Sequence, residues 1–309
     1  MLRGYVAITD LGWYEHLVRM PHPTEANFWK PSVRKLANLP AGTPFFFKLR
    51  APHNAICGFG YYANFSVLPD WLAWDTFGEA NGAGSLAELR ARLTRIREGA
   101  HIAVDPGGRI GCSLIAEATL FPREVWIPQP RDWKVRTQSG EGYDLSQGEG
   151  RRIFEACVAR TAGRVIPSAL GETTRGERYG RPRLHRPRLG QGIFRVQVLD
   201  AYDRACAVTG EHSLPVLEAA HVKPYALGGE HNVQNGVTLR TDLHRLFDRG
   251  YVTIDEDLRL VVGARLKADF DNGRSYYGMH GTALRLPTTR EQRPLVDALH
   301  WHREQVFLG

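Results

Sequence analysis

The stretch from Glu172 to Gly190 constrains this chain more than any other. It carries six Arg against two Glu, a local charge of +4 (6 − 2), interleaved with Gly and Pro and nearly devoid of apolar side chains. Such a segment buries too little apolar surface to offset the entropy of ordering it. Whatever folds must therefore lie on either side of it, and 309 residues leave room for two cores of ordinary size. The expected division is a first domain over residues 1–165, a basic Gly/Pro/Arg linker over 166–192 and a second domain over 193–309. Arg181, Arg183, Arg186 and Arg188 in the linker suit a phosphate backbone. The competing reading is a solvated tether whose charge only keeps it soluble.

Composition narrows the partners. The 40 Lys+Arg against 33 Asp+Glu give a net charge of +7 and favour a polyanion. No apolar run approaches the ~18 residues of a membrane span, and the N-terminal stretch lacks the apolar centre of a signal peptide. Cys57, Cys112, Cys157 and Cys206 form no Cys-x-x-Cys pair, which speaks against a disulfide framework and against a zinc knuckle. A reduced, cytoplasmic setting is expected.

The first 165 residues read as α+β. Pro44–Leu49 and Ala55–Tyr62 are strand candidates separated by a gap of hairpin length. Gly4–Thr9, Ile110–Phe121 and Val125–Ile127 read as further strands. Helices are expected over Trp13–Met20, Trp71–Phe77, Ser85–Glu98 and Glu149–Arg160. Ser85 with Glu88 has the spacing of a capping box, and Leu86, Leu89, Leu93 and Ile96 mark a buried face. Asn27-Phe-Trp-Lys-Pro31, Gly42–Lys48, Ile56-Cys-Gly-Phe-Gly60 and Trp126-Ile-Pro-Gln-Pro130 together resemble the PUA-like superfamily, the β-barrel with flanking helices of EVE, ASCH and SRA-type modules. The resemblance implies nucleic-acid binding and a pocket for a flipped base. The candidates for such a pocket are Trp29, Tyr62, Phe65 and Trp71, with Asn64 and Asp70 as polar partners; the opposing reading makes these aromatics core.

Past the linker, Ile193–Tyr202 reads as a helix, and the chemistry gathers between Leu217 and Asp255. His221 stands on an apolar strand, Asn235 precedes a second short strand, and His244 opens a helix with Asp248 one turn later. Leu258–Leu266 reads as a strand pair or a strand and turn, Thr282–Leu286 as a short strand and Arg293–Val306 as a closing helix. The run Cys-Ala-Val-Thr-Gly, Glu-Ala-Ala-His, Gln-Asn-Gly-Val-Thr-Leu and Leu-His-Arg-Leu-Phe-Asp resembles the strand–loop–strand–helix metal finger of HNH endonucleases, over Gln191 to about Ile254.

That resemblance implies His221 as general base, Asn235 as the loop residue bracing it, and His244 as a metal ligand. Ala220 stands where many members place another ligand; alternation of side chains along a strand puts Glu218 on the same face, as its substitute. Asp248 is either a second ligand or a partner of Arg245 or Arg249. Absent cysteine pairs, no structural zinc is expected. An imidazole, carboxylate and water shell suits Mg²⁺ or Mn²⁺, with Co²⁺ and Ni²⁺ also compatible. His231 reads as structural or solvent-facing, His212 as a turn residue, and Lys223 as a contact to the DNA backbone.

The combined arrangement resembles modification-dependent (type IV) restriction enzymes. It implies a homodimer acting on double-stranded DNA that carries 5-methyl- or 5-hydroxymethylcytosine. Two alternatives stand beside it. One is a nucleic-acid-binding protein with a degenerate finger; the other is a nuclease whose first module binds RNA or protein.

Overall fold

The computed structural model of the protein describes residues 2–21, 23–161 and 189–309. Arg181, Arg183, Arg186 and Arg188 lie outside the described residues, as does most of the expected linker. The chain divides into two compact units, Met1–Ile193 and Phe194–Gly309. The architecture is α+β, and no helix among the described residues is long and apolar enough to cross a membrane.

The first unit runs β1 (Arg3–Thr9), α1 (Leu11–Leu17), β2 (Glu25–Lys30), β3 (Thr43–Leu49), β4 (Ala55–Pro69), α2 (Asp70–Phe77), α3 (Leu86–Gly99), β5 (Arg109–Leu120), β6 (Ile127–Pro128), β7 (Gly140–Asp144) and α4 (Gly148–Thr161). Its strands form one sheet in the order β2-β5-β4-β3-β1-β7, with β6 added beside β4. The β1–β3 pair is parallel and the other pairs are antiparallel.

Consecutive phenylalanines on β3 show how the sheet is covered. Alternation sends Phe45 and Phe47 into one cluster, with Trp13, Tyr14 and Leu17 of α1. Phe46 goes to the other face, against Phe59 and the α4 residues Ile153 and Cys157. All three rings are fully buried, so the sheet is apolar on both sides. The glycines of Cys-Gly-Phe-Gly on β4 follow from close strand approach. A Cβ at Gly58 would run into the Thr119 carbonyl, and one at Gly60 into the Ile115 side chain.

Ser85 caps α3 as expected, accepting from Glu88 N at 3.1 Å, but the Glu88 carboxylate accepts from Gly84 N rather than from the cap residue itself. Ile96 turns outward at 36% exposure, so the buried face of α3 is narrower than its leucine spacing suggests. Four other expectations change. The strand expected over Ala55–Tyr62 continues to Pro69, and β2 and β7 are added. Thr282–Leu286 supplies only a single bridge, Ala283 to Arg259. The stretch Leu258–Leu266 contributes one short strand before turning into a helix.

The second unit holds most of α5 (Gln191–Ala201), then β8 (Leu217–His221), β9 (Gly236–Arg240), α6 (Thr241–Asp248), β10 (Val252–Ile254), β11 (Leu260–Val262), α7 (Arg265–Phe270), α8 (Arg274–Tyr277) and α9 (Val296–Gln305). β8 and β9 pair antiparallel, with His221 opposite Gly236, and α6 follows β9 directly. Phe194, Val198 and Leu199 of α5 pack with Ala220, Val237, Leu243 and Phe247 in one core, which α9 joins through Ala298 and Leu299. Cys206 is a buried free thiol in that core.

Candidate active site in the second unit

The strand–loop–strand–helix of β8, β9 and α6 is held by a short list of buried contacts. On α6, Leu243 and Phe247 point into the core one turn apart. This rotates His244 and Asp248 onto the neighbouring flank, also one turn apart. Glu218 reaches that flank from β8. Its Oε2 lies 2.7 Å from His244 Nδ1, while Asp248 Oδ2 lies 3.3 Å from His244 Nε2. One imidazole thus has a carboxylate at each nitrogen. Ala220, on the same face of β8 as Glu218, is fully buried against the core. Partial burial and the neighbouring Glu218 charge hold the Asp248 carboxyl above its ordinary range, and His244 acts against that.

His221 ends β8. Its ring stacks on Phe194 of α5, with centroids 3.9 Å apart at 13°, and its Nε2 lies 3.0 Å from Nδ1 of His231. Burial first, then His231 and His244, pull its pKa down to about 4, so the ring is neutral at pH 7. Burial likewise lowers His231, whose ring stacks on Tyr225 with centroids 4.3 Å apart.

Among the described residues Asn235 makes no side-chain hydrogen bond to the imidazole; its bonds go to the loop backbone beside it. Its side chain is 4% exposed and ties the loop's end to its beginning. Oδ1 accepts from Lys223 N at 2.9 Å, and Nδ2 donates to Lys223 O at 2.8 Å and to Glu230 O at 3.0 Å. It therefore fixes His221 through the backbone two residues on. The glycine pair permits this closure. Gly228 has φ +84°, and a Cβ at Gly229 would collide with the Lys223 carbonyl. Replacing Asn235 with Ala would leave both backbone groups of Lys223 without that partner in a partly buried setting. We expect a loss of about 3 kcal/mol in the stability of this unit, measured by chemical denaturation. A loss under about 0.5 kcal/mol would contradict this account of the loop.

Glu218 meets the ring nitrogen of His244 opposite the one that Asp248 meets. His231, read from sequence as structural or solvent-facing, touches the candidate base directly. Lys223 places its ammonium 5.5 Å over the Trp301 ring. Among the described residues no group of three or more His, Cys, Asp or Glu side chains is arranged to hold a metal ion.

Residues 206–255 match the HNH endonuclease family. They form an HNH endonuclease domain. The match takes in Glu218, His221, His231, Asn235, His244 and Asp248. No curated protein matches the chain. Among solved structures, the ASCH protein from Zymomonas mobilis is 13% identical, covering 49% of this chain and 94% of its own, with a TM-score of 0.31. A modification-dependent restriction endonuclease, TagI, is 12% identical, covering 97% of this chain and 81% of its own, with a TM-score of 0.28. The endonuclease assignment rests on the HNH match.

Of the residues proposed from sequence for a base pocket in the first unit, Tyr62, Trp29 and Phe65 belong to one apolar cluster. Tyr62 lines a cavity of about 270 Å³ with Lys35, Asn38, Leu39 and Pro40. Lys35 also lies over the Phe65 ring at 5.8 Å. Trp29 donates to the Asn81 carbonyl at 2.7 Å. Both carboxylate oxygens of Asp70 accept from Arg90, at 2.8 and 2.9 Å. Trp71 and Asn64 are half-buried and do not line that cavity.

Proposed function

We propose that the protein is a metal-dependent DNA endonuclease in which His221 takes the proton of the attacking water. The observation that carries this reading is the pairing, inside an HNH domain, of a neutral imidazole at the end of β8 with a chain of Glu218 on β8 and His244 and Asp248 on α6. Phosphodiester hydrolysis needs an activated water and neutralisation of charge on the phosphate, and these two clusters divide that work.

The donor set fits a hard divalent cation. Two ligands at right angles around such an ion stand about 3 Å apart, and His244 Nε2 and Asp248 Oδ2 are 3.3 Å apart. Their separation and type suit Mg²⁺ or Mn²⁺, which keep several waters and need few protein ligands. When bound there, the cation supplies Lewis-acid stabilisation of the phosphate oxygens. Glu218 acts on the other ring nitrogen, fixing the His244 tautomer and orientation. We expect Glu218→Gln to weaken Mn²⁺ dependence about 10- to 100-fold, read as the metal concentration giving half-maximal cleavage. An unchanged metal requirement would remove Glu218 from this role.

In the same reading, the attack leaves 3′-hydroxyl and 5′-phosphate ends, and a homodimer supplies the two sites that a double-strand cut needs. The first unit reads modified cytosine by flipping it out of the duplex. Support for that part comes from the sequence resemblance to PUA-like modules, with the Tyr62 cavity as the place to test. Digesting unmodified, 5-methylcytosine and 5-hydroxymethylcytosine DNA with Mg²⁺ or Mn²⁺ separates the claims. Preference for a modified substrate is expected. Equal cleavage of all three would leave the nuclease and remove the modified-base reader.

A further inference from the structure

We propose that His231 is a positioning residue of the reaction: it accepts the proton on Nε2 of His221 and so holds the base in the tautomer whose Nδ1 is free. This rests on the nuclease reading above and adds a residue to it. The two rings meet edge to edge through Nε2 and Nδ1 at 3.0 Å. Among the described residues His221 Nδ1 has no hydrogen bond, and it is not among the buried unpartnered atoms. A histidine can accept a proton only at its bare nitrogen. In the proposed tautomer that nitrogen is Nδ1, and the Nε2 hydrogen points at His231.

The surroundings hold the pair in place. Phe194 backs His221, Tyr225 backs His231 at 12° between ring planes, and Asn235 closes the loop that carries His231 back to the strand. Water gives a proton to His221 Nδ1 as its oxygen bonds to phosphorus; the bond from phosphorus to the 3′-oxygen breaks, and that oxygen takes a proton from solvent to leave as the 3′-hydroxyl. The resulting imidazolium keeps its Nε2–H on His231 Nδ1, which spreads the charge over two rings. The proton returns to solvent after the product leaves.

Two substitutions and two readouts test this on the full chain with Mn²⁺ and plasmid DNA. His231→Phe keeps a ring on Tyr225 and removes both nitrogens; His231→Gln restores a hydrogen-bonding group. We expect His231→Phe to lower kcat about 10- to 100-fold with KM for DNA little changed, and His231→Gln to recover much of the loss. Long-range ¹H–¹⁵N spectra of the metal-free protein, assigned with His221→Ala, should show His221 protonated on Nε2 in wild type and mixed tautomers in His231→Phe. Wild-type kcat in His231→Phe, or His221 protonated on Nδ1 in the wild-type protein, would overturn the proposal while leaving His221 as base. Absence of DNA cleavage by the wild type would instead overturn the nuclease reading, and with it the catalytic role of His231.

Discussion

Replacing His221 with Ala is expected to reduce the turnover of DNA cleavage by about 10²- to 10⁴-fold, the usual contribution of a positioned general base. The residue is well placed to dominate the rate because its surroundings keep it neutral. Burial between Phe194 and the loop, with His231 and His244 nearby, brings its pKa to about 4. The consequence for pH is directional. A base with an ordinary pKa of 6.5 would lose half its active form at that pH, whereas this one stays unprotonated as pH falls through 6. The acid limb of kcat/KM should therefore lie below that of an unperturbed histidine. Circular dichroism of His221→Ala separates lost chemistry from lost fold. Retained activity in a folded His221→Ala protein would exclude it as the base.

The second large effect concerns stability and comes from His302. It is 2% exposed on α9, stacked on Phe247 with centroids 3.7 Å apart. Its Nε2 donates to the Phe247 carbonyl at 3.0 Å, so Nδ1 accepts from the Thr253 hydroxyl at 2.9 Å. Both nitrogens are satisfied in the neutral form, and burial lowers the pKa from 6.5 to about 4 despite the Phe247 carbonyl, which raises it. Because the folded pKa is depressed, the contribution is fully present above the unfolded value near 6.5 and is lost as pH falls toward 4. A shift of this size corresponds to about 3 kcal/mol, a large share of the 5–15 kcal/mol that holds a typical domain.

The test compares wild type with His302→Gln, which can donate to Phe247 and accept from Thr253 without titrating. Denaturation at pH 7.5, 6 and 5 should show a steep fall in wild type and a shallower one in the variant. His221 shares the same window, so some slope remains. Identical slopes in the two proteins would contradict the assignment to His302.

The finger was legible in sequence because its anchors are tied to period. His244 and Asp248 fall one helical turn apart, and Glu218 shares a strand face with Ala220. That spacing gives the face but not which nitrogen of His244 each carboxylate meets. His231 was missed because no periodicity links it to His221. Its position follows from a loop closure that depends on a buried amide, Asn235, and on a positive φ at Gly228. The Gly228-Gly229 pair was the available signal that the loop folds back.

In the first unit the apolar strands β3 and the start of β4 were readable from their aromatic runs. The remainder of β4 carries Asn64 and Ser66, and β2 carries charged ends at Glu25 and Lys30, so neither announces itself as strand. Both form because β5 pairs with each of them, a contact that sequence distance conceals. Asp70 likewise read as a free polar group because its partner, Arg90, lies on another helix.

The central claim is that this HNH domain cuts DNA with a divalent cation held on His244 and Asp248. Its most direct test is to incubate the purified full chain with supercoiled plasmid DNA, unmodified and cytosine-modified, in Mn²⁺, Mg²⁺ or EDTA, and to determine the chemistry of the new ends. The account predicts nicked or linear DNA only with the metal, ends bearing 5′-phosphate and 3′-hydroxyl, and no product from His244→Ala. Cleavage that persists in EDTA, or equal cleavage by His244→Ala, would contradict it.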